Sequence, residues 1–381
     1  EIMVAATRPG ARRPLLVVAV LVALLLGYLY QAGTLRPLAF AAAERAGLAS
    51  AAPTNPRLQA FFTTPTLVYP DKSWQRPAVP LLQQLIVDID RARSRVDIAV
   101  FDFDLPELAD ALLRAQRRGV AVRLVADSEN LLTPEVALAL GRLEQAGATV
   151  RVDRREPFMH DKIAVIDGLV VWFGSWNMTE NDTWRNNNNM IRAVHAELAA
   201  AYQDEIEQML AGRFGTAKMR RANIPQFRIG TARLQVLFAP QDGAADYLLA
   251  RIAAAKHSIR VMAFSFTAAP VIDALLERAR AGVHVQVVLE SQNATGQNAA
   301  FARLREAGLD VLLDGNCYNM HHKALVIDEQ TVITGSYNFT NSAERSNDEN
   351  TVIIDDAALA GAFTSEFGRV YAQAQNPARC Q

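Results

Sequence analysis

The chain has 381 residues, half of them apolar and 21% charged, which suits two domains of roughly 150–180 residues with proper cores. That composition excludes a disordered protein, a collagen-like chain and a polytopic membrane protein. With 39 basic and 40 acidic residues the net charge is −1, so only a local basic site is left open, not a chain-wide field for coating nucleic acid. Two cysteines, Cys317 and Cys380, exclude a disulfide scaffold and a four-cysteine zinc site.

Residues 1–14 carry Arg8, Arg12 and Arg13 ahead of the apolar run LLVVAVLVALLLGYLY at 15–30. Extended to residue 33, this run approaches the ~20 residues that span a bilayer. Tyr28 and Tyr30 fall where interfacial aromatics are expected. Two readings stand: an uncleaved transmembrane helix over 15–33, or a signal segment cut near Ala39-Phe40-Ala41. Both keep the arginines cytoplasmic and export the rest. The expectation is thus a single-pass protein of a bacterial-type cell membrane, with a secreted protein as the alternative. Residues 34–56, rich in Ala and Pro, read as a tether.

From Arg57 onward the sequence repeats itself. RLQAFF at Arg57–Phe62 returns as RLQVLF at Arg233–Phe238, and RVDIAVFDF at Arg95–Phe103 returns as SIRVMAFSF at Ser258–Phe266. A helical stretch with Leu108, Leu112 and Leu113 stops at Gly119 before a strand over Val120–Val125; Leu275, Leu276 and Gly282 repeat it. Each half thus reads strand, helix, strand, helix, strand, then a further pair of strands, the pattern of an α/β layered domain built twice. The first domain takes 57–211 and the second 232–381. Between them, 212–231 reads as a linker whose Lys218, Arg220 and Arg221 form a solvated connector. The segment LVYPDKSWQRP from Leu67 to Pro77 occurs only in the first copy; its Tyr69 and Trp74 suit either a headgroup layer or a plain surface loop.

The chemistry lies late in each half. MHDKIAVIDGLVVWFGSWNMT begins at Met159 and MHHKALVIDEQTVITGSYNFT at Met320. One offset of 161 aligns His160 with His321, Lys162 with Lys323, Asp167 with Asp328, Ser175 with Ser336 and Asn177 with Asn338. On a strand, residues two apart share a face, so each His projects with its Lys while Asp161 and His322 point away. A hairpin through Gly168 returns Gly174-Ser175 and Asn177 beside the His-Lys pair. Two histidines, two lysines and two asparagines make a cationic, donor-rich pocket with no metal-ligand cluster. Lys and Asn can clamp phosphoryl oxygens, and paired histidines can supply a nucleophile and a proton donor. Trp172 reads as core, and Trp176 as a wall of the pocket. Cys317 reads as a buried residue or as the partner of Cys380.

These duplicated motifs, His-x-Lys-(x)4-Asp followed by Gly-Ser-x-Asn, resemble the phospholipase D superfamily over nearly everything from Arg57 onward. In its second half, through AFSFT, GSYNFT and NDEN, the chain is most similar to the bacterial endonuclease and cardiolipin-hydrolase branch. The resemblance implies two similar α/β domains, each a mixed sheet flanked by helices, related by a pseudo-twofold axis in one monomer. It also implies a covalent phosphohistidine and no metal or other cofactor. His160 and His321 then serve as nucleophile and general acid/base, with Lys162, Lys323, Asn177 and Asn338 on the phosphoryl oxygens. Asp167 and Asp328 are expected to be structural, pairing inside the motif, and Ser175 and Ser336 supporting. Glu349 of NDEN stands where the family places a carboxylate against the catalytic His; its counterpart in NNNN is Asn188, with Asp182 or Glu180 as substitutes. A carboxylate behind an imidazole favours His321 as the better-oriented histidine, whereas two-copy precedent favours His160 as nucleophile, and the choice stays open. The expected activity is phospholipid headgroup cleavage giving phosphatidic acid. Alternatives are an anchored or secreted nuclease, a cardiolipin synthase-like phosphatidyltransferase, and a non-catalytic phosphodiester binder.

Overall fold

The computed structural model describes residues 55–64, 68–294, 299–377 and 380. The basic N-terminus, the 15–33 segment and the tether up to residue 54 lie outside them. In the first half the order is β1 (Leu58–Phe62), α1 (Pro80–Arg91), β2 (Arg95–Val100), α2 (Pro106–Arg117), β3 (Ala121–Ala126), α3 (Pro134–Gln145) and β4 (Thr149–Val152). A hairpin of β5 (Lys162–Ile166) and β6 (Val170–Gly174) follows, then α4 (Glu180–Trp184), β7 (Asn189–Val194) and α5 (Ala196–Leu210). The second half opens with β8 (Gln226–Ile229) and repeats the series. It runs β9 (Ala232–Ala239), α6 (Ala244–Ala253), β10 (Ser258–Ala263), α7 (Ala269–Arg280), β11 (His284–Leu289), α8 (Ala300–Glu306) and β12 (Asp310–Leu313). It ends with β13 (Lys323–Ile327), β14 (Thr331–Gly335), α9 (Asn341–Arg345), β15 (Glu349–Asp355) and α10 (Ala357–Gln375).

The two sheets share one strand order, β1-β7-β6-β5-β2-β3-β4 in the first half and β8-β9-β15-β14-β13-β10-β11-β12 in the second. In each, a parallel trio continues into antiparallel strands, so both sheets are mixed. Local chemistry sets the elements. Proline opens α1, α2 and α3 at the position where its missing N–H costs nothing. Gly119 and Gly282, at φ 86° and 89°, end equivalent helices in the left-handed conformation. The β5–β6 turn places Asp167 and Gly168 at φ 52° and 62°, the two left-handed residues of a tight hairpin.

Helices α1–α3 bury one apolar layer against the outer face of the first sheet, and α6–α8 do so for the second. A third cluster lies between the sheets and draws on both halves: Ile163, Phe173, Tyr202 and Ile206 meet Phe238, Val326, Val352 and Phe363. Rings cross the boundary here, Phe62 to Phe363 at 5.1 Å and Tyr202 to Phe238 at 5.3 Å. Fully burying such side chains contributes about 1.5–3 kcal/mol each, so the halves share a core.

Three expectations change. The linker is not a solvated connector: β8 lies within it, Phe214 is buried, and the Lys218 side chain is wholly enclosed. Arg221 pairs with Asp242 and covers the Phe238 ring at 4.8 Å, leaving Arg220 exposed. Trp176 is core, fully buried with its Nε1–H donated to Thr183, as Trp172 also is. The single-pass membrane location is not supported: among the described residues no helix is long and apolar enough to cross a membrane, and 15–33 is not among them. Cys317 and Cys380 form a disulfide, closing the C-terminus onto the loop before His321.

Candidate active site

The hairpins set the histidines at one end of each sheet. His160 and His321 directly precede β5 and β13, so the strand starts carry Lys162 and Lys323 beside them. Both lysines are buried, and each Nζ donates to the carbonyl of its own motif's histidine, at 2.7 and 2.8 Å. Asp167 accepts from the backbone N–H groups of Arg93, Ser94 and Arg95 at 2.8–3.0 Å; Asp328 does the same for Lys256, His257 and Ser258. They are structural, but they tie the hairpin to the loop before β2 or β10 instead of pairing inside the motif.

The Gly-Ser glycines are required by close approach. A Cβ on Gly174 would lie 2.3 Å from the Asn189 carbonyl oxygen, and one on Gly335 2.1 Å from that of Asn350. That proximity lets Ser175 Oγ reach Asn188 Oδ1 at 2.9 Å and Ser336 Oγ reach Glu349 Oε2 at 2.7 Å.

The segments Asn186–Asn189 and Asn347–Asn350 cross into the opposite half. The Asp348 carbonyl accepts from the His160 N–H and the Asn187 carbonyl from the His321 N–H, both at 2.9 Å. This exchange overturns the expected pairing: Glu349 Oε2 accepts from His160 Nδ1 at 2.8 Å, and Asn188 Oδ1 from His321 Nδ1 at 2.9 Å. Adjacency along the sequence suggested a partner within the same half; the crossing strands supply it from the other. Asp182 stands 3.5 Å from His321 Nδ1, held by the Asn177 N–H and by Asn186, while Glu180 pairs with Arg76 away from the site. With both Nδ1 atoms engaged, each imidazole offers Nε2 to a substrate.

His160, Lys162, His321 and Lys323 thus come together, with Glu349, Asn188, Ser175 and Ser336 behind the imidazoles. Asn177 joins them through Asp182, and Asn338 follows β14 as Asn177 follows β6. The carboxamide oxygens of Asn177 and Asn338 are buried without a hydrogen-bond partner, so the groups these residues can offer a phosphoryl oxygen are their amide nitrogens, which donate. His322 is the bystander: it faces away, bonded to Asn189 and to Glu366 at 2.9 Å each. Phe101 and Phe264 were not anticipated. Their rings meet His160 and His321 at 5.1 and 4.6 Å and lie 5.1 and 4.5 Å from the lysine ammonium groups. Their signal was present in the repeated VFDF and AFSF.

Burial drives the His160 imidazole down to about 4, Lys162 assisting and Glu349 opposing. His321 falls well below its ordinary value through burial and the two lysines. Lys162 is lowered to about 8 by burial, with Glu349 and Asp182 resisting, and Lys323 falls well below its usual range through burial and Lys162. Burial pushes Glu349 up, but His160 and Lys162 hold it below the usual carboxylate value. Burial and the mutual repulsion of the two lysines therefore favour neutral imidazoles and weaken the lysines' hold on their protons. An anionic phosphodiester relieves this repulsion.

A duplicated α/β fold with paired His, Lys and Asn at one seam defines a phosphodiester hydrolase with a single composite site. The family model described as "Cardiolipin synthase, PLD-like domain" matches residues 85–210 and 248–371, and the chain belongs to the phospholipase D superfamily. The chain is 33% identical to a mitochondrial cardiolipin hydrolase of Xenopus tropicalis over 39% of its length and 74% of that protein's. It is 29% identical to a phospholipase D of Rickettsia bellii over 42% of its length and 79% of the relative's. The phosphatidylserine synthase structure of Haemophilus influenzae Rd KW20 matches 77% of this chain and 84% of its own at a TM-score of 0.58. At 14% identity that match speaks for the fold alone.

Proposed function

We propose that the protein hydrolyses phospholipid headgroup esters through a covalent phosphohistidine, with His160 as nucleophile and His321 as general acid. The observation that carries this direction is the unequal backing of the two imidazoles: a carboxylate, Glu349, on His160 and an amide, Asn188, on His321. An imidazole that becomes bonded to phosphorus turns cationic, and only a carboxylate stabilises that charge. An amide oxygen fixes the Nδ1–H tautomer of its partner without holding a proton on Nε2. That suits a group that must give its proton away.

Once the phosphodiester anion offsets the two lysines, His321 takes up a proton on Nε2 and enters the first step as the imidazolium. The His160 Nε2 lone pair then attacks phosphorus, the bond to the headgroup oxygen breaks, and that oxygen takes the proton from His321 Nε2. In the second, water gives a proton to His321 Nε2 and its oxygen displaces His160, releasing phosphatidic acid. Lys162, Lys323, Asn177 and Asn338 clamp the phosphoryl oxygens throughout. The names of the relatives, cardiolipin hydrolase and phospholipase D, and the near-zero net charge support a lipid over a nucleic acid.

Side-by-side turnover of phosphatidylcholine, cardiolipin and single-stranded DNA in EDTA tests the proposal. Phosphatidic acid release and an adduct trapped on His160 are expected. Cleavage of DNA without lipid turnover removes the lipid reading. Activity lost in EDTA and restored by a divalent ion removes the cationic role given to the lysines.

A further inference from the structure

Behind His160, on the face turned away from the pocket, lies a buried charge cluster that the mechanism does not use. Asp161, Glu205 and Asp348 are carboxylates from three separate segments, and Lys218 reaches them from the segment joining the halves. Its Nζ pairs closely with Glu205, lies 2.7 Å from Asp348 Oδ1 and 3.2 Å from the Ala239 carbonyl. Asp348 also accepts from the Gly215 N–H at 2.7 Å and pairs with Arg155. Two cations and a backbone amide therefore converge on one side chain. Its main chain is equally constrained, donating to Phe158 at 2.8 Å and accepting from the His160 N–H at 2.9 Å. The next residue is Glu349.

The other half shows what this cluster replaces. At the positions of Asp348, Asp161 and Glu205 stand Asn187, His322 and Glu366, with Arg369 paired to Glu366. That half backs its histidine with an amide, and the Asn187 Oδ1 accepts from the neutral Asn316 Nδ2 at 2.8 Å. Among the described residues, a cation paired to the residue before the histidine's partner thus occurs on the carboxylate-backed side, at Asp348, and its place at Asn187 is taken by a neutral amide.

We infer that Lys218 is a positioning residue: from the inter-domain segment it locks Asp348, and through it holds the Glu349 carboxylate on His160 Nδ1. This rests on the assignment of His160 as nucleophile. Both residues belong to one short extended segment, so loosening Asp348 lets Glu349 drift, and a misplacement near 1 Å costs about 10²-fold in rate.

The test uses the full chain and bis(p-nitrophenyl) phosphate, whose nitrophenolate departs without a proton, so the release burst reports the His160 step alone. Lys218→Met should slow the burst by ~10–100-fold with KM changed less than about two-fold. Asp348→Asn should do the same, and the double variant should be no worse than the poorer single one, because the two act as one unit. A Lys218→Met protein that melts earlier but keeps its burst rate shows a merely structural lysine and overturns the inference; so do effects that multiply. If Lys218→Met does not fold, Asp348→Asn decides alone, a normal burst rejecting the lock. A burst retained in His160→Ala, or a parent protein whose quenched turnover mixture carries the phosphoryl group on His321 and none on His160, removes the nucleophile assignment itself.

Discussion

At the scale of single residues, the site turns on two contacts of nearly equal length and unequal charge, Glu349 to His160 and Asn188 to His321. Glu349→Gln keeps the shape and the bond to Ser336 but removes the negative charge that supports a phosphorylated imidazole. Losing such a carboxylate costs up to ~10⁴ in rate in a well-studied triad enzyme, so a fall of at least ~10² in kcat is expected, located in the first step. Asn188→Ala should cost far less, since an amide contributes orientation and no charge. The pH profile adds a sign. Glu349 raises the His160 imidazole against burial, so its removal should move the acid limb of kcat/KM below the region of pH 4. Equal, small losses in both variants would sink the directional mechanism. The histidines, lysines and asparagines were legible in the sequence because one offset fixes them all. The pairing of Glu349 was not, because chain adjacency carries no information about which half a crossing segment enters.

At the scale of elements, the segments before β7 and β15 make the site composite, each supplying the group behind the other half's histidine. His160→Ala and His321→Ala should therefore each cost several orders of magnitude, and the double variant hardly more; half the activity in each single variant would mean independent sites. The glycines before the serines give a packing test. Gly174→Ala places a Cβ 2.3 Å from a backbone oxygen that has no flexible end to yield. The crossing segment must move, and a loss of about 1–3 kcal/mol on thermal or denaturant unfolding is expected, with activity falling further than stability. Unchanged activity would show that the crossing segment tolerates displacement. Period and helix stops made β2, α2 and β3 readable. Two strands were not: β4, TVRV, is a half-exposed edge whose arginine breaks the apolar run, and β7 opens on the last of four consecutive asparagines, a residue type depleted in strands. Their places are decided by pairing to neighbours, a tertiary effect.

At the scale of the whole molecule, the two halves are joined by a shared apolar layer, by the crossing segments and by the charges buried beneath His160. The disulfide lies wholly within the second half, where it closes a separation of 63 residues and, in the chain-entropy account, is worth about 4 kcal/mol. The buried charges give stability a pH dependence that one side chain can expose. Asp161 is fully enclosed, accepting from Asn350 Nδ2 at 2.7 Å. Burial, with Glu205 and Asp348 adding and Lys218 and Asn350 opposing, pushes its carboxyl up to about 8. In the unfolded chain an aspartate titrates near 3.9. Between those values the folded protein keeps a proton that the unfolded chain has released, so this group's contribution is fully present below pH ~4 and is lost as pH rises towards 8. Asparagine cannot titrate and can still accept from Asn350. Asp161→Asn should therefore match its parent in melting temperature near pH 4–5 and exceed it increasingly up to pH 8, by several degrees. Melting curves of the two proteins across that range provide the check. A difference that stays constant with pH, or a parent that is the more stable at pH 8, would mean that Asp161 is already ionised and balanced by Lys218.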